Sequence, residues 1–301
     1  MSNIYWPVYL NLEKSVDELA FAIHIDDEQM DVYSTRIMDL IIRAAAEMES
    51  LSKELYRANG GTKDSAVIKY DDDAIKLLNN RWQLEHKKVI ISSAHCFQSN
   101  RVLTPFVKNE IRTASSNGKL TYSWNNAYQN LKHDRGNSMK FGSVRYLFDI
   151  LAALFVLNIY HRDEVIKLGK DQEGVAFPLN MGSSLFSVEI NAGPSYDGEG
   201  VYKKKANFDS SIYYVDRTPE SAKGFQDSID AFNSVLAIAI RNHPKMINYL
   251  ATHDVSNYDG NLSWDVLGQE EMKRILGQNV SKSTIDLGKL EYVALLNKNS
   301  V

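Results

Sequence analysis

VYSTRIMDLIIRAAAEMESLSKELY, residues 32–56, is the stretch from which the fold class is read. Ile37, Leu40, Ile41, Ala44, Met48, Leu51 and Leu55 recur at the three-and-four spacing that gathers side chains on one face of an α-helix. Ser34 offers an N-cap oxygen, and Asn59-Gly60-Gly61 offers residues that tolerate the left-handed backbone in which helices end. Arg43 with Glu47, and Glu49 with Lys53, stand four apart, the spacing of ion pairs on a helix surface.

Working outward, Asp71-Asp72-Asp73 marks the acidic start of a second helix reaching about Leu84. Val89-Ile90-Ile91 predicts a short strand, and residues 106–114 a weak helix broken by Ser115-Ser116-Asn117-Gly118. From residue 141 to 168 the apolar stripe is wide enough for a helix at the centre of a bundle. Residues 186–190 alternate as a strand does, Ile212 to Val215 is aromatic and β-branched, and Gly193-Pro194-Ser195-Tyr196-Asp197-Gly198 is turn chemistry between them. Thr218-Pro219-Glu220 opens a long helix over 221–240, and residues 290–296 predict a terminal strand. The chain thus reads as mainly α, a helical bundle with a small β-rich insert in its C-terminal half. Residues 1–170 form the bundle; residues 171–301 carry the insert, a long helix and the last strand, packed on the same core.

Composition narrows the function classes. The 301 residues are 44% hydrophobic and 24% charged, ordinary for a globular protein. A single cysteine, Cys96, excludes an internal disulfide and a cysteine-based zinc finger, and reads as a small buried hydrophobe. The net charge of −4 excludes the uniformly basic surface of a nucleic-acid coat but leaves room for one basic site. No basic leader precedes the first helix, and the apolar run at residues 150–159 is about half the roughly 20 residues needed to cross a bilayer. A cytoplasmic protein without a membrane partner is expected.

The basic run Tyr128-Gln129-Asn130-Leu131-Lys132-His133-Asp134-Arg135 holds the main candidate site. Lys132 and Arg135 place two permanent cations around an imidazole, able to hold a phosphate while His133 moves a proton. Tyr122, Trp124 and Tyr128 offer rings for stacking a base, and Asn125 is a further substrate-binding candidate. Such a set suits phosphodiester chemistry in RNA, where the 2′-hydroxyl is the nucleophile and neither metal nor cofactor is required. The plainer reading of the same residues is solvated helix-end charges around a structural histidine.

Trp124, Asn125, Ala127-Tyr128, Lys132-His133 and Arg135, followed by Ala153-Leu154-Phe155, resemble a bacterial family of helical proteins similar to the HEPN superfamily. Residues 32–56 resemble the first long helix of such proteins, and the likeness covers roughly residues 30–57 and 122–160. The resemblance implies a bundle of four or five helices, a homodimer, and metal-independent RNA cleavage in a toxin or antiphage defence setting, with a partner protein of that system. Active members pair two copies of Arg, four to six residues, then His. His133 matches the histidine, while the position five before it is Tyr128, followed by the polar Gln129.

A literal match to that spacing occurs at Arg81 and His86, but twelve arginines and seven histidines lead one to expect about one such match by chance. Glu47 is a candidate to orient the histidine, with Arg43 as its own partner. Lys203-Lys204-Lys205 reads as a solvated run, and Asp71 to Asp73 as a helix start rather than a cation site. Two further functions fit the residues. One is a non-catalytic scaffold or regulatory subunit. The other is a small-molecule enzyme using Glu189, Asp216 and Arg217.

Overall fold

The computed structural model describes residues 4–64, 66–92, 97–99, 101–113, 118–193, 195–196, 202–203, 206–280 and 289–299. Cys96, residues 115–117, Pro194, residues 197–198, Lys204, Lys205 and the side chain of Lys203 lie outside the described set.

The chain is mainly α. Among the described residues the helices are α1 (Tyr5–Ala20), α2 (Thr35–Ala58), α3 (Ile75–Trp82), α4 (Ser123–His133), α5 (Val144–Arg162), α6 (Pro219–Arg241), α7 (Pro244–Thr252), α8 (Leu262–Leu267) and α9 (Gln269–Val280). The strands are short: β1 (Val89–Ile91), β2 (Val102–Leu103), β3 (Lys108–Ile111), β4 (Leu120–Tyr122), β5 (Ile166–Gly169), β6 (Phe186–Val188), β7 (Ile190–Asn191), β8 (Ser195–Tyr196), β9 (Tyr202–Lys203), β10 (Tyr213–Arg217) and β11 (Tyr292–Leu296). They form sheets ordered β2-β1-β6 and β5-β11-β10-β7 and the two hairpins β3-β4 and β8-β9.

The contacts divide the chain into two units. Residues 1–167, 173–216 and 294–301 form the first, and residues 168–172 and 217–293 the second. In the first, α5 lies along α2, with α4 and α1 against them. All seven stripe residues of α2 are buried, and the Ser34 hydroxyl caps it by accepting the Ile37 N–H at 3.2 Å. Lys53 pairs with Glu49 at 2.6 Å, whereas Arg43 donates to Asn11 on α1 rather than to Glu47. A neighbouring helix supplies a nearer acceptor than the same helix does.

α5 is buried almost all round, from Val144 to Tyr160. It is the one helix among the described residues long and apolar enough to cross a membrane, and 78% of its most apolar window is buried inside the protein. It ends at Arg162 rather than near residue 168, because Asp163 takes a left-handed backbone (φ 49°) and β5 follows. The second helix starts as a π-turn over Tyr70–Ala74 and ends at Trp82, where Gln83 is left-handed (φ 51°). Residues 108–111 correct the weak helix expected over 106–114: they are β3, antiparallel to β4 with Lys108 opposite Tyr122 and Ile111 opposite Leu120.

In the second unit, Met246, Leu267, Met272 and Ile275 form a small core covered by Leu236, Ala239, Ile240, Leu262 and Val266. Thr218 caps α6, its hydroxyl accepting the Ser221 N–H, with Pro219 in the first turn.

Candidate functional site

The candidate site is built on α4, an unusual helix in that its buried surface is rich in amides. Asn125, Asn126 and Asn130 are all buried, and a buried amide is tolerated only when its donors and acceptors are met. Four-apart spacing resolves them into two ladders on opposite flanks. On one, Asn125 accepts from the Tyr70 hydroxyl and donates to Asp71 (3.1 Å) and Thr121 (3.2 Å), with Gln129 one turn on. On the other, Asn126 accepts from the Thr113 N–H (3.0 Å) and hydroxyl (3.1 Å) and donates to Glu110 (2.9 Å), while Asn130 donates to Thr113 (2.7 Å).

These ladders separate the expected site residues. Trp124 and Asn125 are fully buried and Tyr128 is 7% exposed, so none presents a face to a base arriving from solvent. Trp124 stacks on Tyr122 with ring centres 5.2 Å apart and donates its indole N–H to Pro105 O at 2.7 Å. Asn125 has both amide ends occupied. These three residues anchor the helix, which corrects their assignment as substrate contacts.

Lys132, His133 and Arg135 are exposed at the C-terminal end of α4. Cations there complement the negative end of the helix dipole. Lys132 lies 5.4 Å from the centre of the Tyr128 ring, and Arg135 reaches Asp39 at 3.2 Å. Tyr128 therefore lies under the lysine. Glu47 is half-buried near Tyr5 on α1, whose hydroxyl its charge helps push up. The literal pair also fails to assemble: Arg81 ends α3, the chain reverses at Gln83, and His86 sits beside Glu85 at 4.0 Å. Glu189 accepts from the Ser210 hydroxyl (2.6 Å), and Arg217 lies 4.1 Å from the Phe225 ring centre. No group of three or more His, Cys, Asp or Glu that could hold a metal occurs among the described residues.

Missed in the sequence is an open cleft of about 880 Å³ on the Asn125 flank. Its inner wall is Phe106 and Tyr122, edge to face at 6.3 Å. Two of the acids at its rim are paired with lysines, Asp72 with Lys119 at 2.8 Å and Asp73 with Lys63, while Glu85 lies 4.0 Å from the imidazole of His86. Hydrogen bonds from Lys119 and Lys63 hold the Asp72 and Asp73 carboxyls below the usual carboxylate range, so both stay charged and paired. Lys76 and Lys108 line the same cleft without an ion-pair partner among the described residues, and the Lys108 ammonium rests 5.2 Å from the Tyr122 ring centre. Three acids and three lysines line the cleft, and Lys63 on Asp73 brings one further positive charge, beside Phe106 and Tyr122. The pairing of Asp71 to Asp73 with Arg112, Lys119 and Lys63 is long-range, and no local spacing announces it.

Behind the other flank lies Asp149 on α5, which accepts from the Ser123 hydroxyl. Burial pushes its carboxyl up to about 6 from the ordinary 3.8, helped by the nearby charge of Glu110. A carboxyl raised in the fold stabilises the fold while protonated, below pH 3.8, and that contribution is lost as pH rises through about 6. Wild type should lose up to about 3 kcal/mol over this window relative to Asp149→Asn. Urea melts of both proteins across the window measure it, and parallel curves would refute the assignment.

No family model, curated protein or solved structure matches the chain.

Proposed function

We infer that this is a HEPN-like, RNA-directed protein that binds single-stranded RNA without cutting it. The observation that carries the reading is the cleft on the Asn125 flank of α4, where Asp72 and Asp73 are paired with Lys119 and Lys63 while Lys76 and Lys108 form no ion pair among the described residues. A groove carrying lysines is the general means of tracking a single strand, the cations taking its phosphates. The long helices α2, α4 and α5 in mutual contact support the HEPN-like bundle. The exposed, partnerless His133 with Tyr128 in place of the motif arginine supports binding over cleavage. A cytoplasmic homodimer in a toxin or antiphage system belongs to the same proposal.

Fluorescence anisotropy with a labelled single-stranded RNA tests it. Lys76→Ala combined with Lys108→Ala is expected to weaken binding at least about tenfold and to flatten the salt dependence by about 1.4 in log–log slope, the value for two lost phosphate contacts on a single strand. The RNA should remain intact, with or without His133. Wild-type protein that fails to bind, or a double variant that binds as tightly, overturns the reading.

A second reading, a protein-binding subunit of such a system, is favoured by α6, none of whose 23 residues is buried and which exposes Val235 and Ile238. Absence of RNA binding by the wild type would leave this reading in place.

A further inference from the structure

The opposite flank of α4 opens onto a second cleft, of about 520 Å³, with Tyr33, Phe141 and Tyr146 in its walls. Two opposite charges inside it have no counter-ion among the described residues. Glu110 is held by neutral donors alone, the Asn126 amide at 2.9 Å and the Tyr146 hydroxyl. Lys140 rests against Phe141, its ammonium 5.6 Å from the ring centre, and makes no ion pair. No ion pair joins the two. The remaining acid at the rim, Asp31, is already neutralised by Arg145 at 3.1 Å.

A carboxylate held by two neutral donors keeps a fixed direction. With an ammonium across an aromatic-walled gap, the cleft disfavours a simple anion, which Glu110 repels, and a simple cation, which Lys140 repels. It suits a molecule carrying both charges and an apolar body. We propose that this cleft binds a free α-amino acid with an apolar side chain, its ammonium on Glu110, its carboxylate on Lys140 and its side chain against the three aromatic residues. The site is separate from the lysine-lined cleft and does not rest on the RNA reading.

Titration calorimetry of the full chain with L-leucine, L-methionine and L-phenylalanine at millimolar concentration tests the proposal. Saturable binding of at least one is expected. Its N-acetyl and its amide derivatives, each lacking one charge, should bind at least about tenfold more weakly, as should the parent amino acid to Glu110→Gln and to Lys140→Ala. Lys140 is exposed, so Lys140→Ala should melt as the wild type does and keeps the test decisive if Glu110→Gln misfolds. The proposal is overturned by any of three results. These are no saturable binding to wild type, derivatives that bind as tightly as the parent, or a Lys140→Ala variant of wild-type affinity.

Discussion

Replacing Trp124 with alanine should lower the unfolding free energy by about 3–5 kcal/mol, the range for deleting a fully buried large aromatic side chain. The indole stacks on Tyr122, approaches Tyr70 at 6.4 Å between ring centres, and satisfies the Pro105 carbonyl. Truncation leaves a cavity under β4 and a buried carbonyl without its donor. Trp124→Phe separates the two effects: it keeps most of the ring and should lose only about 1–3 kcal/mol, the consequence of an unmet buried polar group. Guanidinium melts with a fixed denaturant slope measure both. A ligand-contacting Trp124 would behave otherwise, with an unchanged midpoint and weakened RNA binding, and that outcome would return the residue to the site and remove it from the core.

How far the sequence could be read depended on the range of the interaction. α2 was legible because its stripe, its Ser34 cap and its Asn59-Gly60 exit are local, and they act within a few residues of one another. β10, α6 and β11 were legible for the same reason. Residues 106–114 were misread because Val107 and Ile111 stand four apart and imitate a helix face, whereas what makes residues 108–111 a strand is pairing with β4. In α1 the buried Tyr5, Tyr9, Leu12, Val16 and Leu19 keep helical spacing, a signal that polar Asn11, Glu13 and Lys14 between them interrupt.

The site shows the same division. Lys132, His133 and Arg135 are the exposed end that their residue types suggest. For Trp124, Tyr128 and Leu131 a signal was present and outweighed by the motif, since their four-and-three spacing marks a buried stripe, and all three are buried. The amides at 125 and 129, and at 126 and 130, also repeat at four, which announces two ladders on one helix. What they bind could not be read locally. Asp71 and Glu110 come from other segments, and so do the lysines that decide the charge of the adjoining cleft.

Glu13 carries the second large effect, and it is a case where distance in sequence hid the role entirely. Its carboxylate is 2% exposed on α1 and meets no cation. Four donors hold it instead: the Tyr9 hydroxyl at 2.6 Å, the Ser183 hydroxyl, and the backbone N–H groups of Ser184 (3.1 Å) and Leu185 (3.4 Å). This one side chain therefore ties α1 to a turn 170 residues away. Glu13→Ala strands several buried donors at once and should lose about 3–5 kcal/mol, as removing one side of a buried charged network does. Glu13→Gln keeps one acceptor oxygen but turns an amide N–H₂ toward a donor, so its loss should be smaller, about 1.5–3 kcal/mol. Tyr9→Phe measured alone and in the Glu13→Ala background completes a double-mutant cycle. The hydroxyl should matter in the wild type and matter little once its acceptor is gone, giving a coupling of about 1 kcal/mol or more. Strictly additive losses would mean that the carboxylate and the tyrosine stabilise the fold independently.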